Sequence, residues 1–284
     1  MEIKKKFYSH SKLSTFEQCP LKFKYRYIDK IIPEIKKSIE AHLGTCVHST
    51  LEWAYSEVQK SHIPSLDEII VYFSKKWKQD YSADIIIVKE NLTAKDYFNK
   101  GIEFLVNYYQ KNYPFDDNTI ELEKKIKIKL DSDGEYNIIG FIDRLVQNLE
   151  KNEFEVHDYK TANSLPTQEK IDNDRQLALY SIAIKEIYGE DKEVKLIWHY
   201  LAHNKKIISK RTNEQLQNLK KQTLELIKKI ESTKEFPSKK TILCNWCEYK
   251  NICPVWNQEN QNKIFEKNKK KFSKYPITSK YIKD

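Results

Sequence analysis

The stretch Tyr136-Asn-Ile-Ile-Gly-Phe-Ile-Asp-Arg-Leu-Val-Gln147, followed after a polar turn by Phe154-Glu-Val-His-Asp-Tyr-Lys160, decides the fold of this chain. Apolar and β-branched residues dominate both halves, and residues 148–152 are polar enough to connect them, so the stretch predicts a β-hairpin. Side chains alternate between the two faces of a strand. One face of the first strand is expected to carry Ile139, Phe141, Asp143 and Leu145. One face of the second is expected to carry Phe154, Val156, Asp158 and Lys160.

This hairpin brings two carboxylates together. If it folds about residues 150 and 151, Asp143 lies opposite Asp158 or Tyr159, with the two aspartate Cβ atoms about 5 Å apart when directly paired. Two carboxylates at that distance repel by roughly 3 to 4 kcal/mol at an effective dielectric near ~20, which favours a cation between them. The Tyr159 carbonyl can complete an all-oxygen site of the kind that Mg²⁺ or Mn²⁺ prefers, with Lys160 beside it. The alternative is a surface hairpin with ordinary salt bridges.

Composition gives a weaker indication of function. The chain has 284 residues, 39% of them hydrophobic, which is enough for a core in one large domain or two small ones. A net charge of +9 and a pI near 9.0 favour a polyanionic partner. Lysine is abundant throughout, however, so the charge can also reflect compositional bias. More informative are the four arginines: Arg26, Arg144, Arg175 and Arg211.

The sequence predicts a cytoplasmic protein with no membrane partner. The basic segment at residues 1–6 is not followed by the apolar run of a signal peptide, and no stretch is long and uncharged enough to span a bilayer. Five cysteines, an odd number, favour a reducing compartment over a disulfide framework.

The residues before the hairpin are predicted to be mainly helical. Apolar spacing indicates one or two helices over 11–28 and another over 39–59, on which His48 and Glu52 share a face. A single histidine beside apolar residues is more often a core group than a ligand. Two amphipathic helices over 65–81 and 93–112 are rich in aromatic residues, which are expected to pack in the core rather than stack on bases.

From residue 119 the hydrophobic period changes to two, and Asp133-Gly134 is a turn signal, so three antiparallel strands are expected in succession. A helix over 168–188 follows, with Gln176 and Tyr180 one turn apart. A strand over 192–203, a partner strand over 205–210 and a helix over 213–232 complete an α/β pattern.

Three cysteines lie close together in the sequence near the end of the chain. The segment Cys244-Asn-Trp-Cys247-Glu-Tyr-Lys-Asn-Ile-Cys253-Pro254 allows three thiolates to bind one metal centre. Cys19 or Cys46 must supply a fourth ligand, and Cys19 is favoured because proline follows it, as it follows Cys253. Spacing alone does not distinguish Zn²⁺ from an iron–sulfur cluster, and structural cysteines without metal are the alternative.

Taken together, these motifs resemble the RecB-like nucleases of the PD-(D/E)XK superfamily, which include the nuclease domain of AddB and the CRISPR-associated spacer-acquisition exonucleases. The resemblance rests on six motifs in the right order. They are Ser11 to Pro20, Gly44-Thr-Cys-Val-His48, Gly140-Phe-Ile-Asp143, Asp158-Tyr-Lys160, Gln176-Leu-Ala-Leu-Tyr180 and the late cysteines. One departure is Asp158, where glutamate is common in the family; its shorter side chain could shift the choice of metal.

The resemblance implies a restriction-endonuclease-like core of helix, three-stranded antiparallel meander, helix and strand, with added N-terminal helices. It implies one nuclease domain over 1–284, with a helical region at 33–118, a catalytic core at 119–210, a helix and cysteine cluster at 211–260 closing on Cys19, and a basic tail at 261–284.

The resemblance also implies roles for single residues. The expected Mg²⁺ or Mn²⁺ ligands are His48, Asp143, Asp158 and the Tyr159 carbonyl. The expected catalytic residues are Asp143, Asp158, Lys160, Gln176 and Tyr180. The expected DNA contacts are Arg144, Arg175 and Tyr180. The expected [4Fe-4S] ligands are Cys19, Cys244, Cys247 and Cys253, with Zn²⁺ as the alternative occupant.

The function that follows is a metal-dependent DNA nuclease, with an exonuclease favoured, acting in DNA repair, recombination or CRISPR-type defence. Its substrate is expected to be DNA that is single-stranded or has free ends, and a recombination or CRISPR-type protein partner is compatible with the family. Two alternatives remain: a non-catalytic DNA-binding module of the same fold, and a zinc-stabilised protein that binds RNA or another protein.

Overall fold

A computed structural model describes residues 5–34, 37–82 and 84–256. Within these ranges the strands are β1 Lys6–Tyr8, β2 Lys37–Ser38, β3 Ile85–Ile86, β4 Thr119–Lys129, β5 Tyr136–Asn148, β6 Glu153–Lys160, β7 Glu193–Tyr200 and β8 Lys205–Ser209. The α-helices are α1 His10–Gln18, α2 Pro20–Phe23, α3 Ile39–Gln59, α4 Leu66–Asp80, α5 Ala94–Asn112, α6 Gln168–Asp172, α7 Arg175–Tyr188 and α8 Asn213–Ser232. A π-helical turn, Lys24–Ile28, extends α2. The expected basic tail at 261–284 lies outside the described residues.

The predicted meander is confirmed: β4, β5 and β6 pair antiparallel in succession. The helix α7 then leads to β7, which is parallel to β6, and β8 pairs antiparallel with β7. The α/β fold class predicted from the sequence is therefore confirmed. The short strand β1, which pairs parallel with the start of β5, was not predicted because three residues carry too little pattern.

Two of the predicted helical segments each contain two helices, and for the segment over 11–28 this was one of the two predicted alternatives. The segment predicted over 11–28 divides at Cys19, which has an extended backbone, because Pro20 has no N–H to continue the hydrogen-bonding of α1. The segment predicted over 168–188 divides at Asn173, and the Asp174 side chain caps α7 by accepting from the N–H groups of its first turn. No helix in the described part of the chain is long and apolar enough to cross a membrane.

The sheet separates two apolar cores. One core contains Phe154 and Val156 of β6 with residues of α1, α7 and α8, whereas Tyr159 of β6 packs with α3, α4 and α5. Since neighbouring side chains of a strand point to opposite faces, the two helix groups cover opposite faces. The aromatic residues of α4 and α5 lie in the second core, as predicted: Phe73, Trp77, Tyr97, Phe104 and Tyr108.

The set of β5 residues predicted to point into the core is wrong in part. Phe141 is 51% exposed, and the core residues are Ile138 and Ile142 instead of Ile139 and Phe141. Ile142 and Leu145 lie in the same core although strict alternation would separate them, so the alternation slips next to Asp143. Asp143, which follows Ile142, therefore lies off this core face, and the slip returns Leu145 to it.

Candidate active site

The candidate site lies where β5 and β6 separate. On one edge, β5 pairs with β1 over Tyr136–Ile138 and with β6 over Arg144–Asn148, so residues 139–143 have no partner strand there among the described residues. β6 continues to pair with β7 as far as Lys160. The backbone of Tyr159 is therefore free to bond to side chains: its N–H donates to Asp143 Oδ2 over 3.0 Å, and its carbonyl is 2.7 Å from His48 Nε2.

We call the space beside residues 139–143, where β5 and β6 separate, the gap. Three side chains at this gap form a group that could hold a cation. The ligand atoms of His48, Glu123 and Asp143 all lie within 4.8 Å of one another, and His48 Nδ1 is 3.2 Å from Asp143 Oδ2. Each comes from a different element, namely α3, β4 and β5. One imidazole nitrogen and several carboxylate oxygens suit a divalent cation such as Mn²⁺ or Mg²⁺, so the residues present fit the metal that the sequence predicted.

Glu123 was not among the predicted ligands. The pairs Leu122↔Arg144 and Lys124↔Ile142 place it opposite Asp143, and its φ of 44° is in the left-handed region. That strained backbone could not be predicted from the sequence. The pairing could have been, because a hairpin that turns at Asp133-Gly134 puts residue 123 opposite residue 143 or 144.

A second group of side chains surrounds Lys160. Its Nζ is 2.7 Å from Asp158 Oδ2 and donates to Gln176 Oε1 over 3.2 Å, while Gln176 Nε2 donates to Asp158 Oδ1 over 3.2 Å. Burial favours the neutral amine, but the Asp158 carboxylate outweighs it, and the pKa of Lys160 is raised. The lysine is therefore a cation near neutral pH and cannot accept a proton.

Tyr180, one helical turn after Gln176, packs directly against the sheet at Gly140. A Cβ at Gly140 would lie 2.5 Å from a carbon of the Tyr180 ring, closer than real contacts allow. Burial raises the pKa of Tyr180, so its hydroxyl stays protonated. The glycine three residues before Asp143 thus makes room for the ring beside the site.

A family model described as the PD-(D/E)XK nuclease superfamily matches residues 8–254, which include the meander, the gap between β5 and β6, and the late cysteines. The chain belongs to the PD-(D/E)XK nuclease superfamily. Such nucleases generally act on nucleic acid with divalent metals, which agrees with the donor set at the gap.

Two solved structures resemble this superfamily member. The crystal structure of SSO0001 is 14% identical with a TM-score of 0.41, covering 90% of this chain and 89% of that one. A protein described as a candidate exonuclease from Eubacterium rectale is 11% identical with a TM-score of 0.51, covering 89% of this chain and 88% of that one. At this identity the second likeness supports the fold alone. No curated protein sequence matches the chain.

Arg144, expected to contact DNA, is instead a buried residue of this nuclease fold. Its side chain is 1% exposed, and its donors bond to the Tyr159 hydroxyl over 2.9 Å, to Thr119 Oγ1 over 3.0 Å and to Asp117. Its guanidinium also lies over the Tyr55 ring, 4.1 Å from the centroid. The prediction is wrong because the packing of α3 and α5 encloses this arginine, and each of its three nitrogens is already bonded to a neighbouring side chain, His157 included.

Arg175, the other predicted arginine contact, lies at the first residue of α7, next to Gln176. It makes a two-pronged ion pair with Glu17 of α1, over 3.2 and 2.5 Å. Its side chain is 18% exposed. A DNA phosphate would therefore have to share or displace Glu17 to bind there.

The four cysteines predicted to share a metal line one cavity in this superfamily member. Cys19, Cys244, Cys247 and Cys253 line one cavity of about 50 Å³, whereas Cys46 is fully buried in the core around α3. The Thr241 N–H, 3.4 Å from Cys244 Sγ, lowers the pKa of that thiol. Cysteines from two distant segments thus line the same cavity, as shared ligation of a structural metal or cluster would require.

The proximity of Asp143 and Asp158 should lower the stability of the folded protein when no metal is bound. Burial, followed by the charge of Asp158, raises the pKa of Asp143 to about 7. A raised carboxyl pKa means that the folded state takes up a proton, so stability falls as the pH rises from about 4 to about 7. We expect Asp143→Asn to raise metal-free stability at pH ~8 by roughly 2 to 4 kcal/mol.

Thermal unfolding in EDTA from acid to alkaline pH tests this expectation, with Asp191→Asn, which removes an exposed carboxylate, as the control. The advantage of Asp143→Asn over the natural protein should vanish below the ordinary carboxyl pKa. An advantage that does not change with pH would contradict the assignment of the penalty to Asp143 ionisation.

Proposed function

We propose that the chain is a divalent-metal-dependent deoxyribonuclease, and specifically an exonuclease. The observation that carries the proposal is the arrangement of two groups: the cationic Lys160 held between Asp158 and Gln176, and the donor set of His48, Glu123 and Asp143 next to it. The family match supports the hydrolysis of nucleic acid. The resemblance of the motifs to the RecB-like nucleases, which include exonucleases, supports the finer assignment.

The side chains at the gap would divide the chemistry between them. His48, Glu123, Asp143, Asp158 and the Tyr159 carbonyl would hold one or two cations. When bound, Mg²⁺ or Mn²⁺ would polarise the scissile phosphate and lower the pKa of the attacking water. To serve as a ligand, the Tyr159 carbonyl would have to exchange its 2.7 Å contact with His48 for the cation.

Lys160 would act as an electrostatic group. Because its pKa is raised it carries a charge throughout the reaction, and it can stabilise the negative charge that develops on the phosphate oxygens. Gln176 accepts from Lys160 and donates to Asp158, which fixes both side chains. Tyr180 supports this arrangement from the next turn of α7 and offers a hydroxyl to the phosphate backbone, with Arg175 at the start of that helix.

The cysteine cavity supports a finer assignment to the RecB-like and AddB-like nucleases. Cys19, Cys244, Cys247 and Cys253 would hold a [4Fe-4S] cluster, and Zn²⁺ is the alternative that metal analysis would reveal. We propose one nuclease domain that works in the cytoplasm on DNA with single-stranded regions or free ends, in repair, recombination or CRISPR-type defence.

The alternative function is a DNA-binding module of the same fold without turnover. A module that only binds DNA has no use for a half-buried lysine paired with the buried Asp158 beside a second carboxylate, because removing solvent from these charges is costly. The presence of both groups at the gap therefore favours catalysis.

Cleavage of end-labelled DNA tests the proposal. We expect degradation of DNA with Mg²⁺ or Mn²⁺, none with EDTA, and binding without cleavage with Ca²⁺. Strands labelled at either the 5′ or the 3′ end report polarity, and early release of labelled mononucleotides marks an exonuclease. If single- and double-stranded DNA remain intact with every cation while binding persists, the non-catalytic alternative is correct.

A further inference from the structure

One face of the sheet, opposite the core that contains α7, is lined with lysine and phenylalanine. In the pairing of β4 with β5, Lys125 lies opposite Phe141, Lys127 opposite Ile139 and Lys129 opposite Asn137. Paired residues of neighbouring strands share a face. Ile138 and Ile142, which alternate with Ile139 and Phe141, point into the core, so the paired residues point away from it.

The strand β1 extends this face by one residue. Tyr8 lies in the core beside Ile138, so its neighbour Phe7 points to the opposite side. A contact across the sheet agrees: the Nζ of Lys127 is 5.2 Å from the centroid of the Phe7 ring. Phe7 is 44% exposed and Phe141 is 51% exposed. We call this surface the lysine–phenylalanine face; it consists of Phe7, Lys125, Lys127, Lys129, Ile139 and Phe141.

The charge on this face is uncompensated. Within the described ranges, no carboxylate lies within 4.0 Å of the Nζ of Lys125, Lys127 or Lys129, in contrast to Lys124, which pairs with Glu121. Three exposed cations beside two exposed aromatic rings provide what a nucleic-acid strand requires: positive charge for its phosphates and flat apolar surfaces for its bases.

The face runs directly into the candidate active site. Two residues beyond Phe141 and Lys125 on their strands lie Asp143 and Glu123, which belong to the proposed cation site. At the rise of an extended strand, Ile139 is about 13 Å from Asp143. A strand bound along this face would thus present a phosphate to the cation site at one end.

We propose that the lysine–phenylalanine face binds a single strand of DNA and guides it to the cleavage site. The proposal rests on the proposed nuclease function and specifies its substrate. Phe141 and Phe7 would stack on unpaired bases, and Lys125, Lys127 and Lys129 would contact the phosphates between them. A duplex hides the faces of its bases in its own stack, so the aromatic rings on this face select for single strands.

Binding measured in EDTA tests the proposal without requiring cleavage. With a fluorescein-labelled oligothymidylate, we expect Phe141→Ala to raise Kd about tenfold, as for the loss of one stacked base. The double variant Lys125→Gln/Lys127→Gln should reduce the slope of log K against log salt by about 1.4, because each phosphate contact contributes about 0.7 on a single strand. The natural protein should bind the oligothymidylate more tightly than a duplex of the same length.

Matched controls come from other surfaces. Leu149→Ala removes an exposed apolar side chain from the β5–β6 turn, and Lys228→Gln removes an exposed lysine from α8. Neither should change the Kd. The natural protein has five tryptophans, so stacking is reported by the additional quenching that a Phe141→Trp variant shows on binding, compared with the natural protein.

The outcomes separate the two proposals. If Phe141→Ala and the double lysine variant bind like the natural protein, or if both weaken duplex and single-strand binding equally, the face is not a single-strand site, even though cleavage continues. If the variants lose single-strand binding as expected but no cation supports cleavage, the single-strand site is confirmed and the nuclease proposal is wrong.

Discussion

Lys160→Ala should lower the rate of DNA cleavage by about a thousandfold, the effect expected when one preorganised charge is removed from a transition state. The lysine donates to Asp158 and Gln176 and is held at the gap between β5 and β6. Lys160→Arg keeps the charge but moves it, because the guanidinium is larger and planar. We therefore expect this variant to recover only a small part of the activity.

Mn²⁺ binding distinguishes this catalytic role from simple misfolding. Removing a cation from beside Asp158 and Asp143 makes the site more negative, so Lys160→Ala should bind Mn²⁺ as tightly as the natural protein or more tightly. The measurements are single-turnover cleavage and Mn²⁺ titration followed by electron paramagnetic resonance. Weaker Mn²⁺ binding together with lost cleavage would mean that Lys160 only maintains the structure of the site.

The proximity of Asp158, Lys160 and Gln176 could be predicted because local rules determine it. Alternation along β6 puts Asp158 and Lys160 on one face, and a helix returning over that face brings Gln176 against them. Such patterns depend on residues that are close in sequence, and chain geometry fixes them before tertiary packing does.

What could not be predicted depends on contacts between distant segments. Arg144 was expected to face DNA, but it is buried by Tyr55, Asp117 and Tyr159, which come from separate elements and enclose it only after α3 packs on the sheet. The slip of alternation beside Asp143 is also invisible in the sequence, because Phe141 and Ile142 are equally apolar. Alternation with Ile138 and Ile142 leaves Phe141 exposed next to the site.

The prediction of Cys19 as the fourth metal ligand depended on the number of ligands that a metal needs, and not on a spacing pattern in the sequence. Nothing in the spacing of Cys19 relates it to residues over two hundred positions later, yet three late thiols require a fourth ligand and few cysteines are available. The structure places Cys19 in the same cavity as the other three. The identity of the metal does not follow from this position.

Cys19→Ala should remove the metal and lower the free energy of unfolding by about 3 to 5 kcal/mol, because the metal closes a loop of over two hundred residues. Other contacts join the same segments: Glu248 pairs with Lys22 over 2.9 Å and with Arg26 over 2.8 Å. These ion pairs are partly exposed and contribute at most about 1 kcal/mol each. They should keep the ends associated without replacing the metal.

Anaerobic purification followed by iron and zinc analysis, visible absorption and thermal unfolding tests this prediction. We expect brown natural protein, and colourless, less soluble Cys19→Ala. Cys46→Ala is the matched control, because that thiol is buried in the other core and burial raises its pKa to about 11. Asp158→Ala should keep the metal bound by the cysteines and lose DNA cleavage. Stoichiometric zinc would exclude the iron–sulfur cluster and leave the nuclease site unaffected, whereas metal lost from Cys46→Ala but kept by Cys19→Ala would show that the fourth ligand is wrongly assigned.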